Sequence, residues 1–511
     1  MTAQTTEPKA RAARTVGKSL RAALLPVWTV AITCLFKCVF LYTHNVKEAD
    51  FADVIPGMAL ALLFGALALG IGWLLLRSLP KAAIAASFSM LLMMNVSYIG
   101  QLIKMGWKSY HDAYLLIVFC LLIAGVLRLL YKKSFDARPV CRIITIAFTA
   151  MTLVSIATAT PEIIEKMKYS GKQPVSEELQ SVQFAAQERP NVYFFLFDEY
   201  AGFENLEYYY DDFDNAEFSD FLREKGFSVS RSTRNTESVF TDTILPNLLN
   251  LSYVVEDEEP AYAKKAYLQD PALFEIFANN GYRIDLICQD AWISSSKTSL
   301  QYETYQTTLS DWIVNHSALD ALGLSNKLLN LLRKNQHTDY VAGMRFLFHV
   351  MEGMADDCAA QGPTFSFCYL KCPHSPLVFR EDGSVNPEGK QKDWKDKSVY
   401  LGQLKYLNTR IETAVRNILE KDPTAIIILQ SDHGERHLRH TAKYRSNKNS
   451  SWDYEKETYY MQNALNAVYC GGKALPIEGM SGINTLRYVL NTCFGTELEM
   501  LPSPEGYVYQ P

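Results

Sequence analysis

The 511-residue sequence predicts a chain in two parts: five transmembrane helices, then an α/β extracytoplasmic domain on a mainly parallel sheet. Three observations predict it. Nearly all long apolar runs fall before residue 160. From residue 191 onward, short continuous apolar runs alternate with polar, helix-like segments. Several of those runs end on acids or histidines, where open α/β sheets collect their chemistry. The net charge of −5, with no basic stripe in the C-terminal half, leaves no footprint for nucleic acid.

The spans are expected at 23–43, 54–76, 82–103, 113–131 and 140–158, each near the ~20 residues that cross a bilayer core as a helix. The first is no cleaved signal peptide by itself, because four more spans follow. Lys and Arg counts set the orientation. Lys9, Arg11, Arg14, Lys18 and Arg21 put the N-terminal tail inside, as Arg77, Lys81, Lys132, Lys133 and Arg138 do for the second and fourth loops. The acidic first loop (Glu48, Asp50, Asp53) suits the outside, and the third, with Lys104 and Lys108, dissents mildly. Five crossings from inside leave everything after residue 158 outside the cytoplasm, so a multi-pass cell-membrane protein is expected. Lys37 lies within the first span, where it either faces a partner or snorkels to an interface. Residues 159–190 read as a juxtamembrane connector with short amphipathic helices, and 191–511 as the outer domain.

Four of the ten cysteines lie in or beside the spans; Cys288, Cys358, Cys368, Cys372, Cys470 and Cys493 lie beyond. Disulfides are permitted there, but no pairing follows from sequence. No paired CxxC motif suggests a structural zinc site.

In the outer domain NVYFFLF (191–197), YRIDLIC (282–288), TFSFCYL (364–370), AIIIL (425–429) and ALNAVYC (464–470) read as strands, and 216–227 as a helix ending near Gly226. Continuous apolar strands spaced by helices argue for a sheet covered on both faces. Three strand ends carry unusual residues: Asp198-Glu199-Tyr200, 371-KCPHSP-376 and Ser431-Asp432-His433. Two acids and a histidine on one sheet edge would suit a divalent cation. Taken singly each is weak, since Asp-Glu after a strand is usually a solvated turn and a lone histidine usually structural. The hydroxyl-rich segment 228–253 turns apolar and helix-like around Pro246, which fits the first turn of a helix. A hydroxyl at that helix start, held on a metal, could attack phosphorus. Composition alone favours an N-capping Ser/Thr cluster instead.

A strand ending in an acid, a threonine ahead of a helix, His-x-Pro and a late Ser-Asp-His-Gly together resemble the alkaline phosphatase superfamily. The nearest branch resembles the membrane-anchored sulfatase-like transferases, which include lipoteichoic acid synthases and lipid A phosphoethanolamine transferases. The resemblance extends over almost the whole chain. It implies one divalent metal, Zn²⁺ or Mn²⁺ with Mg²⁺ also compatible, on Asp198, Thr241, Asp432 and His433, with Glu199 a lesser contributor. Thr241 would be the nucleophile, five residues before Pro246 as in the transferases' T-x-x-S-x-P. Ile244 departs from the serine of that pattern, which keeps Thr243 and Ser238 as rivals. His374 maps to the histidine near substrate phosphate or leaving group, and Arg436, His437 and His440 fall where further substrate contacts lie. For Arg436 a solvated basic loop is an equal reading.

The resemblance implies a phospho-headgroup transferase of phosphoethanolamine or phosphoglycerol type. Thr241 would take the group from a membrane lipid donor and pass it to a cell-surface glycan, lipid or polymer. A phosphodiesterase or phosphatase using water would need the same residues. A sulfuric-ester hydrolase of this fold needs Cys or Ser in C/S-x-P-x-R, which no cysteine here provides. The reading from another class is an inactive scaffold or receptor.

Overall fold

The computed structural model describes residues 7–107, 110–171, 173, 176–210, 213–235, 238–289, 292–303, 308–332, 340–358, 362–387, 389–393, 396–436 and 454–502. The chain divides into two compact units, Met1–Lys168 with Thr307–Asn335, and Tyr169–Gln306 with Gln336–Pro511. Residues 307–335, read from sequence as part of the 191–511 domain, thus group with the N-terminal helices.

The first unit is helical throughout its described residues. Four of its helices are long and apolar enough to cross a membrane: Ala23–His44 within Glu7–His44, Phe51–Leu76, Asp112–Lys132 and Arg138–Lys168. The third expected span differs. It is two helices, Leu79–Met93 and Val96–Lys104, bent by 43° at the break between them. The polar Asn95 sits in that break and donates to the Leu91 carbonyl at 2.7 Å. The Met94 carbonyl, which the break leaves without a helical amide, accepts from the Lys37 ammonium. Lys37 therefore faces a partner. The last span runs ten residues beyond its expected end, through Pro161 to Lys168, so the connector starts as helix. A short helix, Glu177–Gln180, follows it and is capped by Ser176.

Within residues 307–335, helix Leu309–Asn315 meets the second span at a glycine. The Ser310 hydroxyl accepts from the Gly57 amide at 2.8 Å and donates to the Asp53 carbonyl. A Cβ on Gly57 would stand 2.9 Å from Ile313 Cδ1, so the close approach needs glycine.

The second unit is built on seven strands: β1 (Val192–Phe197), β2 (Ser228–Ser230), β3 (Arg283–Cys288), β4 (Thr298–Glu303), β5 (Thr364–Leu370), β6 (Ile426–Ser431) and β7 (Asn466–Cys470). Their order is β2-β7-β6-β1-β5-β3-β4. From β6 to β4 all neighbours are parallel, and β7 is antiparallel to both β6 and β2. The mainly parallel sheet is as expected; β2 and β4 are additions, β2 too short and β4 (TSLQYE) too polar to read as buried strands.

Every residue of β1 is buried. Tyr193, Phe195 and Phe197 enter one core with helices Tyr340–Cys358 and Lys397–Lys421. Val192, Phe194 and Leu196 enter the other with helices Thr241–Leu249, Ala272–Asn279 and Gly482–Phe494. Two apolar faces explain an unbroken apolar run, since alternate side chains serve opposite cores and each buried aromatic contributes ~1.5–3 kcal/mol. The register then aligns the strand ends. Phe197 pairs with Leu370 of β5 on one side and Ser431 of β6 on the other. Asp198, Lys371 and Asp432 consequently leave the sheet at one level.

Candidate active and metal site

Three ligand atoms from two adjacent strand ends meet: one each from Asp198, Asp432 and His433, all buried and within 4.8 Å of one another. Asp198 follows β1 and accepts from the Tyr369 hydroxyl through Oδ2 at 2.9 Å. Its Oδ1 is buried with no hydrogen-bond partner among the described residues, and it stands 4.0 Å from His433 Nε2. Asp432 Oδ1 accepts from the amides of Glu199 (3.0 Å) and His433 (2.8 Å), which fixes its rotamer. Asn235 ties this strand end to its surroundings, donating to the Ser431 and Asp432 carbonyls at 2.7 Å and accepting from the Gly482 amide.

His433 Nδ1 contacts the Gly434 carbonyl at 2.7 Å, an acceptor only, so Nδ1 carries the proton. Nε2 then keeps its lone pair, turned toward Asp432 Oδ2 (3.4 Å). Glycine after the histidine is a packing requirement. A Cβ at 434 would lie 2.4 Å from the Asn463 carbonyl and 2.6 Å from Asn205 Nδ2.

Thr241 begins the helix Thr241–Leu249. Its hydroxyl donates to Asp432 Oδ2 at 2.6 Å and lies 3.4 Å from His433 Nε2. The first backbone bonds of this helix run from Thr243 and Ile244 to Phe240, so the amides of Thr241 and Asp242 precede the ladder. Pro246 is the helix's sixth residue and not in its first turn, a correction to the sequence reading. The rival hydroxyls point elsewhere. Ser238 (2.6 Å) and Thr243 (2.7 Å) both donate to Asp257 Oδ1, and Thr243 also accepts from the buried Lys264 at 2.9 Å.

Glu199 is fully buried and in the left-handed region at φ 62°, which costs a non-glycine residue about 1–2 kcal/mol. Its Oε1 accepts from the Arg436 amide at 3.0 Å and from Nε at 3.3 Å, and its Oε2 is 3.6 Å from His374 Nε2. Arg436 also donates to the Val239 carbonyl at 3.0 Å, two residues before Thr241. Its side chain is only 11% exposed, so it is not part of a solvated loop. His374 Nδ1 contacts the Ser375 carbonyl, and its amide donates to the Asp198 carbonyl at 3.1 Å. His437 and His440 lie outside the described residues.

The charges balance through these contacts. Burial by itself would raise the Glu199 carboxyl; Arg436, His374 and His433 outweigh it and hold it at about 2. Burial likewise opposes ionisation of Asp198, and His374, His433, Lys371 and Arg436 overcome it and keep that carboxyl low. At Asp432 burial prevails, with the Asp198 charge adding to it, and the carboxyl is raised. Burial and then Arg436 lower His433 below the usual imidazole range, against the pull of Asp432, Glu199 and Asp198. A carboxylate, an imidazole lone pair, a second carboxylate and an adjacent hydroxyl form a donor set that zinc or manganese accepts.

Sequence reasoning undervalued Glu199 and missed Tyr369. Tyr369 carried no signal, because it reads as one more core residue of β5. Asn235 lies within the hydroxyl-rich segment 228–253, six residues ahead of Thr241.

Residues 190–460, more than half of the chain, match the family described as Sulfatase. No curated protein matches. Among solved structures, the C-terminal periplasmic domain of EptC from Escherichia coli, in complex with Zn, has 12% identity and TM-score 0.41, covering 64% of this chain and 87% of its own. The periplasmic domain of the phosphoethanolamine transferase EptC from Campylobacter jejuni has 12% identity and TM-score 0.36 over 61% and 91%. The phosphonate monoester hydrolase of Agrobacterium radiobacter has 11% identity and TM-score 0.38 over 60% and 74%. Likeness this low carries no argument about activity.

Proposed function

We propose, from the premise that this chain belongs to the sulfatase family, that it is a membrane-anchored, metal-dependent transferase of phospho-headgroups. The observation that carries the reading is the Thr241 hydroxyl, 2.6 Å from Asp432 and 3.4 Å from His433 at the start of a helix. Asp198, Asp432, His433 and Thr241 would hold one divalent cation. Such a cation lowers the pKa of a bound hydroxyl and offsets charge on a phosphoryl group.

This chain's own residues account for the remaining steps. Thr241 Oγ attacks the phosphorus of a lipid headgroup, with Asp432 Oδ2 placed to accept its proton. The P–O bond to the lipid alcohol breaks, and the alcohol oxygen leaves with a proton from His374. The phosphothreonine then passes its group to a hydroxyl of a cell-surface glycan, lipid or polymer, whose proton goes to His374, and Thr241 regains its own from Asp432. The amides of Thr241 and Asp242, which precede the helix ladder, favour the negative charge that develops there. Threonine also separates this chain from sulfate-ester hydrolysis through formylglycine, because the β-carbon of threonine bears a methyl group and cannot become an aldehyde.

Apolar spans ahead of an extracytoplasmic catalytic unit would bring lipid-borne donors to this site. The test is incubation of the purified full chain, with Zn²⁺ or Mn²⁺, with phosphatidylethanolamine or phosphatidylglycerol and a glycan acceptor. The proposal expects diacylglycerol release together with headgroup on the acceptor. Diacylglycerol with only free phospho-alcohol would make the protein a hydrolase, and no lipid turnover with either metal would sink the proposal.

A further inference from the structure

Residues 309–332 stand out as a piece of the later sequence that groups with the N-terminal helices, although the chain on both sides belongs to the second unit. The piece comprises helices Leu309–Asn315, Ala318–Ala321 and Ser325–Leu332. We infer that it is a lipid-binding collar: Leu322 and Leu324, with Lys327 beside them, seat in the outer headgroup layer of the membrane.

Its inner face is fixed at two places on the helix bundle. Ser310 binds the start of the second span at Gly57 and Asp53, while Ile313 packs into the core between the helices. Helix Ala318–Ala321 packs on Val96–Lys104 and Asp112–Lys132. Ser97 donates to Asp320 at 3.4 Å, Gln101 Nε2 meets His316 Nε2 at 3.2 Å, and Tyr98 lies 5.9 Å from the Trp312 ring. These contacts join the collar to the start of the second span and to the two helices that flank the third interhelical loop. In a bundle that alternates direction the first and third loops share the side opposite the basic N-terminal tail, which the Lys and Arg count puts inside, so that side is the outer one.

The outer face is apolar where a water-facing helix turn would be polar. Leu322 is 57% exposed and Leu324 41%, in a turn whose neighbours Ser325 and Leu329 are buried. The third loop, which follows helix Val96–Lys104, exposes Met105 (84%) and Trp107 (55%), the latter 6.2 Å from the Tyr114 ring. Exposed leucines and a lysine, on a piece packed against helices joined by a tryptophan-bearing loop, match the composition of a membrane–water interface, where rings and apolar chains sit at the headgroup boundary and the ammonium meets phosphate. Direct packing of the piece on helices long and apolar enough to cross a membrane selects lipid as the occupant. The inference rests on the membrane reading of the N-terminal helices and is independent of the transferase reading.

The test uses the full chain in phosphatidylethanolamine–phosphatidylglycerol vesicles carrying a phospholipid with a photoactivatable diazirine near its headgroup. After illumination, peptides are mapped by mass spectrometry. The inference expects label on the peptide spanning 318–325 as well as on the spans. It expects loss of that label alone in the Leu322→Asp/Leu324→Asp variant. Label on the spans with none on 318–325, or cross-links from 318–325 to a second copy of the chain, would overturn it. Should the variant fail to fold, the wild-type labelling pattern decides by itself.

Discussion

Two hydroxyl settings flank one helix start. Thr241 points to Asp432 and His433, and Thr243, two residues on, points to Asp257 and Lys264. Two residues along a helix turn a side chain by about 200°. The same short motif therefore supplies one hydroxyl to the ligand cluster and another to a buried network that holds the helix in place. Ser238 joins the second setting through Asp257 and receives the Phe240 amide. The contrast teaches that residue type does not decide which hydroxyl meets Asp432 and His433; the side of the helix does.

Breaking the first side should affect chemistry most. Thr241→Ala is expected to cut headgroup transfer by about 10³-fold or more while thermal melting stays near wild type. A matching loss of stability would mean that Thr241 belongs to the structural side. Glu199→Gln leaves Arg436 buried without its carboxylate, which should cost ~3–5 kcal/mol in unfolding measurements. Activity should fall too, because Arg436 also holds the Val239 carbonyl ahead of Thr241. Tyr369→Phe removes the hydrogen bond to Asp198 Oδ2 and should weaken Zn²⁺ affinity by ~10-fold or more, read by competition with a chelator.

The second side should show the reverse pattern, with smaller effects. Thr243→Val leaves Lys264 and Asp257 each short of one hydrogen bond, at ~1–3 kcal/mol, with transfer per folded molecule unchanged. Ser238→Ala should cost ~1 kcal/mol by the same measurement. If Thr243→Val abolished transfer without destabilising the chain, the assignment of the two settings would be reversed.

How much of this was legible in the sequence depended on how local the cause is. β1 and β5 were readable almost to the residue, because a strand buried on both faces is one apolar run ended by a charged residue. Asp198, Asp432 and His433 could be paired for the same reason, since each lies within two residues of a strand end. The break in the third span has a visible polar residue, Asn95, but its completion by Lys37 comes from a helix 57 residues away. The grouping of 307–335 with the spans depends on a close approach at Gly57, which no local periodicity encodes. Glu199 and Arg436 are likewise 237 positions apart, so the acid read as a turn residue and the arginine stayed undecided.

The central claim is that Thr241 carries the transferred group. Its most direct test is mass spectrometry of the full chain, metal-loaded, quenched in acid after brief incubation with lipid donor. The account predicts a phospho-headgroup adduct localised to Thr241, whose mass names the group. An adduct on Thr243, on Ser238 or on any other residue, or turnover of the donor by Thr241→Ala at the wild-type rate, would contradict it.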